Sequence, residues 1–348
     1  MDTIGLDLHK RESQLCIGRD DGSVEERHIV TSRERFAAVL GDRPRARVLL
    51  EASTESEWVA RHLESLGHEV IVADPNFAPM YATRARRTKT DRRDARTLMD
   101  ACRLGAYRPA YRLSDARRHV RAELAVREAL VRTRTRYIAL AKALVRRDGL
   151  RVAASEAHLV PKRIAALEIS DGLAGELLPL FEVLAPINEQ IAAADRRMTA
   201  LASGDGDMAL LATAPSIGPV TASAVVATVD QIERFASAHQ FEAFLGMVPG
   251  ERSSGEKRRI GRITKAGNSR VRYLLVEAGW RILRAKDTDT AALRAWGLAI
   301  AARRGKRIAV VAVARRLAGI LYAMWRDRRP YDATQLRMPR PRPAVLAG

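Results

Sequence analysis

Residues 3–30, TIGLDLHKRESQLCIGRDDGSVEERHIV, hold three short runs separated by polar turns. In TIGLDL, Ile4, Leu6 and Leu8 alternate with other positions; in SQLCIGR, Leu15 and Ile17 do the same; VEERHIV follows a turn at Asp20 to Ser23. A period of two marks half-buried strands, so three strands joined by tight turns come first. The pattern then changes. A helix is predicted from Ser32 to Leu40. ARVLLEAS (46–53) is a continuous apolar run, read as a buried strand with Glu51 at its C-terminal end. A helix around Glu57 to Leu66 stops at Gly67, HEVIVADP (68–75) makes a fifth strand, and the stretch RARRTKTDRRDAR (84–96) opens another helix.

The order βββαβαβα is that of a ribonuclease H-like or RuvC-like α/β domain, predicted over residues 1–110. In that topology the fourth strand lies beside the first, which brings Glu51 alongside Asp7. Asp7 sits mid-strand, where a buried charge is costly unless something pairs with it. Asp91 and Asp94 are three apart and share one helix face. Magnesium prefers oxygen ligands, and two-ion phosphodiester chemistry needs carboxylates converging from different elements. The four acids are therefore predicted to hold Mg2+, as two ions, with Mn2+ able to substitute. The simpler reading makes Asp7 a turn acid and gives Asp91 and Asp94 helix capping and salt bridges to Arg92, Arg93 and Arg96. In the functional reading Arg92 and Arg93 grip a nucleic-acid backbone.

Charge supports the functional reading. Of the 348 residues 60 are Lys or Arg and 41 Asp or Glu, a formal charge of +19, which attracts polyanions without distinguishing DNA from RNA. No apolar run approaches the roughly 18–20 residues of a membrane span. The N-terminus lacks a signal peptide's order of charge, apolar run and cleavage site, so an intracellular, cytoplasmic protein is expected. Cys16 and Cys102 have neither CxxC spacing nor a nearby His cluster, which suggests no zinc site or disulfide framework.

From Ser114, a predicted N-cap, to Gly149, a predicted C-cap, there is no internal Gly or Pro, enough for a helix of about 50 Å. Leu124, Val131, Ile138 and Val145 recur every seven residues beside Leu130, Tyr137 and Leu144, a packing stripe for an intramolecular or an intermolecular partner helix. A second run, Leu177, Leu184, Ile187, Ile191, Met198 and Leu201, keeps helical spacing but is expected to break or kink at Pro179 and Pro186. These runs define a helical connector over 111–205, closed by a linker at SGDGD (203–207). A mainly helical part follows over 206–334, then a disordered tail at 335–348. In APSIGPVTASAVVATV (214–229) Gly218 reads as the turn of a helix-hairpin-helix that offers N–H groups to a phosphate; a plain helix start at Pro219 is the alternative.

GLDLHK (5–10), LLEAS (49–53) and KTDRRDA (89–95) resemble the motifs of the DEDD transposases of the IS110 insertion-sequence family, which includes the Piv invertases and bridge-RNA-guided recombinases. The resemblance continues through SIGPVTASAVVA (216–227), FEAFLGMVPGERSSGEKRRIGRITKAGNSRVRYLL (241–275) and AVVAVARRLAGILYAM (309–324). It implies a RuvC-like domain, a coiled-coil connector and a C-terminal transposase domain, with the acidic tetrad at Asp7, Glu51, Asp91 and Asp94. It further implies a serine nucleophile that forms a phosphoserine link to DNA. In ERSSGEKRR that serine is Ser254, with Ser253 the less favoured choice; without the resemblance SSG reads as a turn. Lys257, Arg258, Arg259 and Arg262 follow at once and suit the stabilisation of phosphate charge. Lys265, Arg270 and Arg272 in KAGNSRVR are predicted phosphate contacts.

The partners implied are double-stranded target and donor DNA, a noncoding bridge RNA, and further copies of the chain, a homodimer that forms a tetramer in the synapse; a prokaryotic, nucleoid-associated setting follows. Only 5% of residues are aromatic, which argues against stacking platforms for single strands. One departure from the family is GMVP (246–249), where GLAP or GLVP is more usual; Met for Leu leaves packing unchanged. Two rival functions remain. A RuvC-like, metal-dependent, structure-selective nuclease would use water and have no need of 206–330, and a nucleic-acid-binding scaffold would have no need of four converging acids.

Overall fold

A computed structural model describes residues 1–82, 90–251 and 260–336. The chain packs as two compact units, the first spanning Met1–Arg112 and the second beginning at Leu113.

The first unit is α/β. Strands β1 (Thr3–Leu8), β2 (Glu12–Gly18) and β3 (Val24–Val30) are followed by helix α1 (Arg33–Leu40), β4 (Arg47–Glu51), α2 (Ser56–Ser65), β5 (Glu69–Ala73) and α3 (Asp91–Leu104). The five strands form one mixed sheet in the order β3-β2-β1-β4-β5, with β1, β2 and β3 antiparallel and β1, β4 and β5 parallel. The helices predicted from Ser32 and from around Glu57 start within a residue of those positions, at Arg33 and Ser56. Ser32 caps α1 through a hydrogen bond from Arg35 N; within the stretch 84–96, Thr90 caps α3 through one from Arg93 N.

Alternation along the strands sorts the side chains onto two faces. Ile4, Leu6, Leu15, Ile17, Val48 and Leu50 meet α1 and α2 on one face, through Phe36, Leu40, Val59 and Leu63. On the opposite face Leu49 and Ala73 pack with Leu98 and Cys102 of α3, and Cys16 packs with Ala95 and Met99. Gly5 lies on this second face too, and α3 comes down directly on it: a Cβ at Gly5 would stand 2.0 Å from the Ala95 carbonyl oxygen and 2.2 Å from the Met99 nitrogen.

The second unit is helical. Its elements are α4 (Asp115–Arg147), α5 (Val160–Ala165), α6 (Asp171–Ser203), α7 (Gly206–Ala212), α8 (Pro219–Val229) and α9 (Ala238–Phe244). A hairpin of β6 (Pro249–Glu251) and β7 (Ile260–Ile263) follows, then α10 (Ser269–Arg284), α11 (Ala291–Arg304) and α12 (Lys306–Asp327). Most of the seven-residue stripe of α4 packs within the chain: Ile138 and Val145 share a core with Leu173, Leu177 and Leu184 of α6, and Leu124 packs against the core that holds Met198. Arg127 pairs with Asp195 at 2.5 Å, Arg197 with Glu123 at 3.1 Å and Arg147 with Glu176 at 2.8 Å, a ladder that runs antiparallel.

The expected break at Pro179 and Pro186 does not occur, and α6 continues through both. A proline inside a helix costs about 3 kcal/mol. Here Leu177, Leu184 and Ile191, all buried, hold the turns around them. The linker expected at 203–207 is mostly helical: only Gly204 and Asp205 separate α6 from α7. Asp205 caps α7 and accepts from Arg117, whose guanidinium also meets Asp207 at 3.1 Å and Asp230 at 3.6 Å.

The larger core joins Val120, Met198 and Ala202 to α7–α12, with Phe241, Leu275, Val313, Leu317 and Trp325 at its centre. α12 is long and apolar enough to cross a membrane, contrary to the sequence expectation that no run is; its apolar residues are mostly buried in this core.

Candidate active site

Four local rules place the acids. Asp7 follows Gly5 by two residues on β1 and so faces α3. Glu51, the last residue of β4, is two beyond Leu49 and faces the same way. The parallel register pairs Leu6 with Leu50, so Asp7 and Glu51 come next on adjacent strands. Asp91 and Asp94 occupy the first turn of α3, where the positive end of the helix dipole favours negative charge. The cap itself is Thr90, so neither acid is spent on it.

Electrostatics registers the convergence. The Asp7 side chain is only 15% exposed, and its carboxyl titrates at about 6. Burial is the largest cause. The His9 imidazole opposes it, and the carboxylates of Asp94, Asp91 and Glu51 each push it further up. All three acids are therefore near enough to act on Asp7. His9 stands between two of them, its Nε2 3.4 Å from Asp7 Oδ2 and 3.7 Å from Asp91 Oδ1. Ligand atoms of Asp7, His9 and Asp91 all lie within 4.8 Å of one another. Tyr81 donates its hydroxyl to Glu51 Oε1 at 2.8 Å.

His9 and Tyr81 were not among the predicted site residues. His9 carried a signal, since two residues beyond Asp7 in an extended run means the same face. Tyr81 carried none. A set of hard oxygen donors around a carboxylate that is reluctant to ionise fits a divalent cation, whose charge would draw Asp7 back to its ionised form. Of the flanking arginines, Arg92 pairs with Glu26 at 3.2 Å.

Ser253, Ser254, Lys257, Arg258 and Arg259 lie outside the described residues. The hairpin stem on either side of them is described: Pro249 pairs with Ile263 and Glu251 with Ile260. Its base is tightly built. Gly246 (φ +69°) and Gly267 (φ +82°) sit back to back, and a Cβ on either would lie 1.8 or 2.0 Å from a carbonyl oxygen of the other loop. Lys265 N donates to Gly246 O at 3.0 Å and Thr264 N to Val248 O at 2.9 Å.

Arg272 Nη1 donates to the carbonyls of Leu245, Ala266 and Gly267 at 3.1, 2.9 and 3.0 Å. Arg270 pairs with Glu128 at 3.2 Å and lies over the Tyr273 ring. Arg262 and Lys265 are exposed. Gly218 is the N-cap of α8 in an extended conformation (φ −90°, ψ 176°), and the left-handed residue of that turn is Ser216 (φ 63°).

Two family models match the chain. One, described as "Transposase", covers residues 4–147; the other, described as "Transposase IS116/IS110/IS902 family", covers 208–294. A probable family 20 transposase of Pseudomonas aeruginosa is 31% identical over 335 residues, covering 92% of this chain and 96% of its own. The transposase for insertion sequence element IS1111A of Coxiella burnetii is 27% identical over 94% of this chain and 90% of its own. The transposase for IS1328 of Yersinia enterocolitica is 26% identical over 92% and 96%.

Proposed function

Since the chain belongs to the IS110 family of transposases, we propose that it cleaves and rejoins DNA strands to move an insertion sequence, using the acids of a RuvC-like domain together with a serine nucleophile. The observation that carries this reading is the convergence of Glu51, Asp91 and Asp94 on a partly buried Asp7. Crowding of this kind destabilises a fold that does not use it.

In this reading Asp7, Glu51, Asp91 and Asp94 hold two Mg2+ ions, replaceable by Mn2+. When bound, they neutralise the scissile phosphate and ease departure of the leaving oxygen. Tyr81 orients Glu51, and His9 holds Asp7 and Asp91 in register. Ser254 attacks the phosphorus through Oγ. One P–O bond forms as another breaks, the serine proton ends on the leaving sugar oxygen, and the phosphoserine conserves the energy for rejoining. The cations that follow Ser254 in sequence, Lys257, Arg258, Arg259 and Arg262, supply positive charge to stabilise the phosphate.

The connector 111–205 joins the RuvC-like part to a transposase part, 206–334, with a helix-hairpin-helix turn at Gly218. In keeping with the family resemblance, recognition goes through a noncoding bridge RNA that pairs with target and donor DNA while protein grips the backbone, and the low aromatic content, which disfavours single-strand stacking, fits this. Cutting several strands in one synapse supports a homodimer that forms a tetramer on nucleic acid.

The test uses a plasmid carrying the element's ends. Ser254→Ala should lose the covalent protein–DNA adduct and recombination yet bind nucleic acid as before, and Asp94→Asn should lose cleavage. Robust cleavage by Ser254→Ala would replace this reading with the water-using nuclease. Sequencing of RNA co-purified from cells carrying the native flanking DNA checks the guide, and light scattering with and without nucleic acid checks the assembly.

A further inference from the structure

Between Asp289 and Asp327 the sequence has eight Lys or Arg and no Asp or Glu. Four of the eight, Arg303, Arg304, Lys306 and Arg307, flank Gly305 at the corner where α11 ends and α12 begins, and all four are exposed. Farther along α12, Arg315 pairs with Glu242 and Arg326 with Asp327. Among the described residues Arg304, Lys306 and Arg307 have no such carboxylate.

The placement conflicts with local helix chemistry. Cations at the end of α11 suit its dipole, but Lys306 and Arg307 stand in the first turn of α12, where positive charge is unfavourable. That turn contains no acid, and no side chain caps it. α3 shows the ordinary solution, with Thr90 as cap and two acids in the first turn. A feature that opposes local stability without a compensating partner inside the fold points to a partner outside it.

The remaining exposed positions of the corner, Ala302, Gly305 and Ile308, carry no ring on which a base could stack. Backbone phosphates of a duplex, and not unstacked bases, match what is left. We propose that the α11–α12 corner is a docking surface for the phosphate backbone of double-helical DNA; the choice of DNA over RNA rests on the transposase reading above.

The test is binding of a duplex DNA of about 30 base pairs, and of an RNA hairpin of similar length, by fluorescence anisotropy from about 50 to about 400 mM salt. The variant replaces Arg303, Arg304, Lys306 and Arg307 by Gln. A charge-matched control replaces Arg121, Arg136, Lys162 and Arg163, which are exposed elsewhere in the same unit. Each released phosphate contact lowers the slope of log K against log salt by about 0.9, so the corner variant should lose about 2–4 in slope for DNA and at least about tenfold in affinity near physiological salt. The control and the RNA should change less.

An equal loss in both variants would reduce the effect to net charge and overturn the proposal, as would a loss confined to RNA or no loss at all. A wild-type protein that fails to bind duplex DNA at any salt would sink the transposase reading itself.

Discussion

Gly5 of β1 and Ala95 of α3 approach so closely that a methyl group on Gly5 would stand 2.0 Å from the Ala95 carbonyl oxygen. The same contact lays the first turn of α3, with Asp91 and Asp94, over the strand that carries Asp7. Sheet and helix share one site because nothing larger than hydrogen separates them.

Gly5→Ala should therefore damage the site and the fold together. The obstructing atoms belong to backbone and cannot rotate away, so a loss of about 1–3 kcal/mol or more is expected, together with loss of strand cleavage. Gly175→Ala is the control. It lies inside α6 with nothing near its added Cβ, and it should be neutral or stabilise by up to about 1 kcal/mol. Thermal unfolding of both variants, with a cleavage assay, checks this; wild-type behaviour of Gly5→Ala would mean that α3 does not rest on Gly5.

Asp7→Asn should stabilise the metal-free protein while abolishing cleavage. The carboxyl titrates at about 6 in place of the ordinary 3.8, so the folded state binds more protons than the unfolded one between those values, and stability falls as pH rises through that window. Above it the penalty is about 2–3 kcal/mol, and the Asn variant escapes it. The variant's advantage in melting temperature should be full at pH near 8 and shrink toward zero as pH falls toward 4. Added magnesium should raise the wild-type melting temperature and leave the variant's unchanged. An Asn variant less stable than wild type at pH 8 without metal would contradict the crowding.

Tyr81→Phe removes one hydroxyl and leaves the ring. Outer hydrogen-bond partners of metal ligands typically matter by about 10–100-fold in metal affinity, so half-saturation by magnesium should shift upward by about tenfold, with the rate at saturating metal changed less. Equal loss of rate at every metal concentration would argue that the phenol does something other than hold Glu51.

Much of this arrangement is readable from periodicity. Alternation in TIGLDL assigns Asp7 to the face opposite Leu6, and a parallel β1–β4 pair then fixes Glu51 beside it. Spacing of three assigns Asp91 and Asp94 to one helix face. What periodicity cannot reach is long-range and local at once. Tyr81 sits in a stretch with no period, so no register relates it to Glu51. Pro179 and Pro186 obey a local rule that the burial of Leu177 and Leu184 overrides. The charge of Arg270 and Arg272 is plain in the sequence, but carboxylate, carbonyl and phosphate oxygens all accept from a guanidinium, and nothing in the local pattern says that Arg270 meets Glu128 or that Arg272 meets three carbonyls.

Arg272 turns that ambiguity into a measurement. Its Nη1 meets three carbonyls at the base of the β6–β7 hairpin, where Gly246 and Gly267 leave no room for adjustment. If its role is to hold the hairpin, Arg272→Lys should lower formation of the covalent adduct, because a single ammonium cannot reproduce the fixed fork of a guanidinium. It should nevertheless leave the salt dependence of DNA binding unchanged. If Arg272 instead contacts a phosphate, the slope of log K against log salt should be preserved in Lys and fall by about 0.9 in Arg272→Gln. Comparing the two variants separates the roles: adduct loss in both with an unaltered slope in Gln supports the clamp, and a reduced slope in Gln with normal adduct in Lys rejects it.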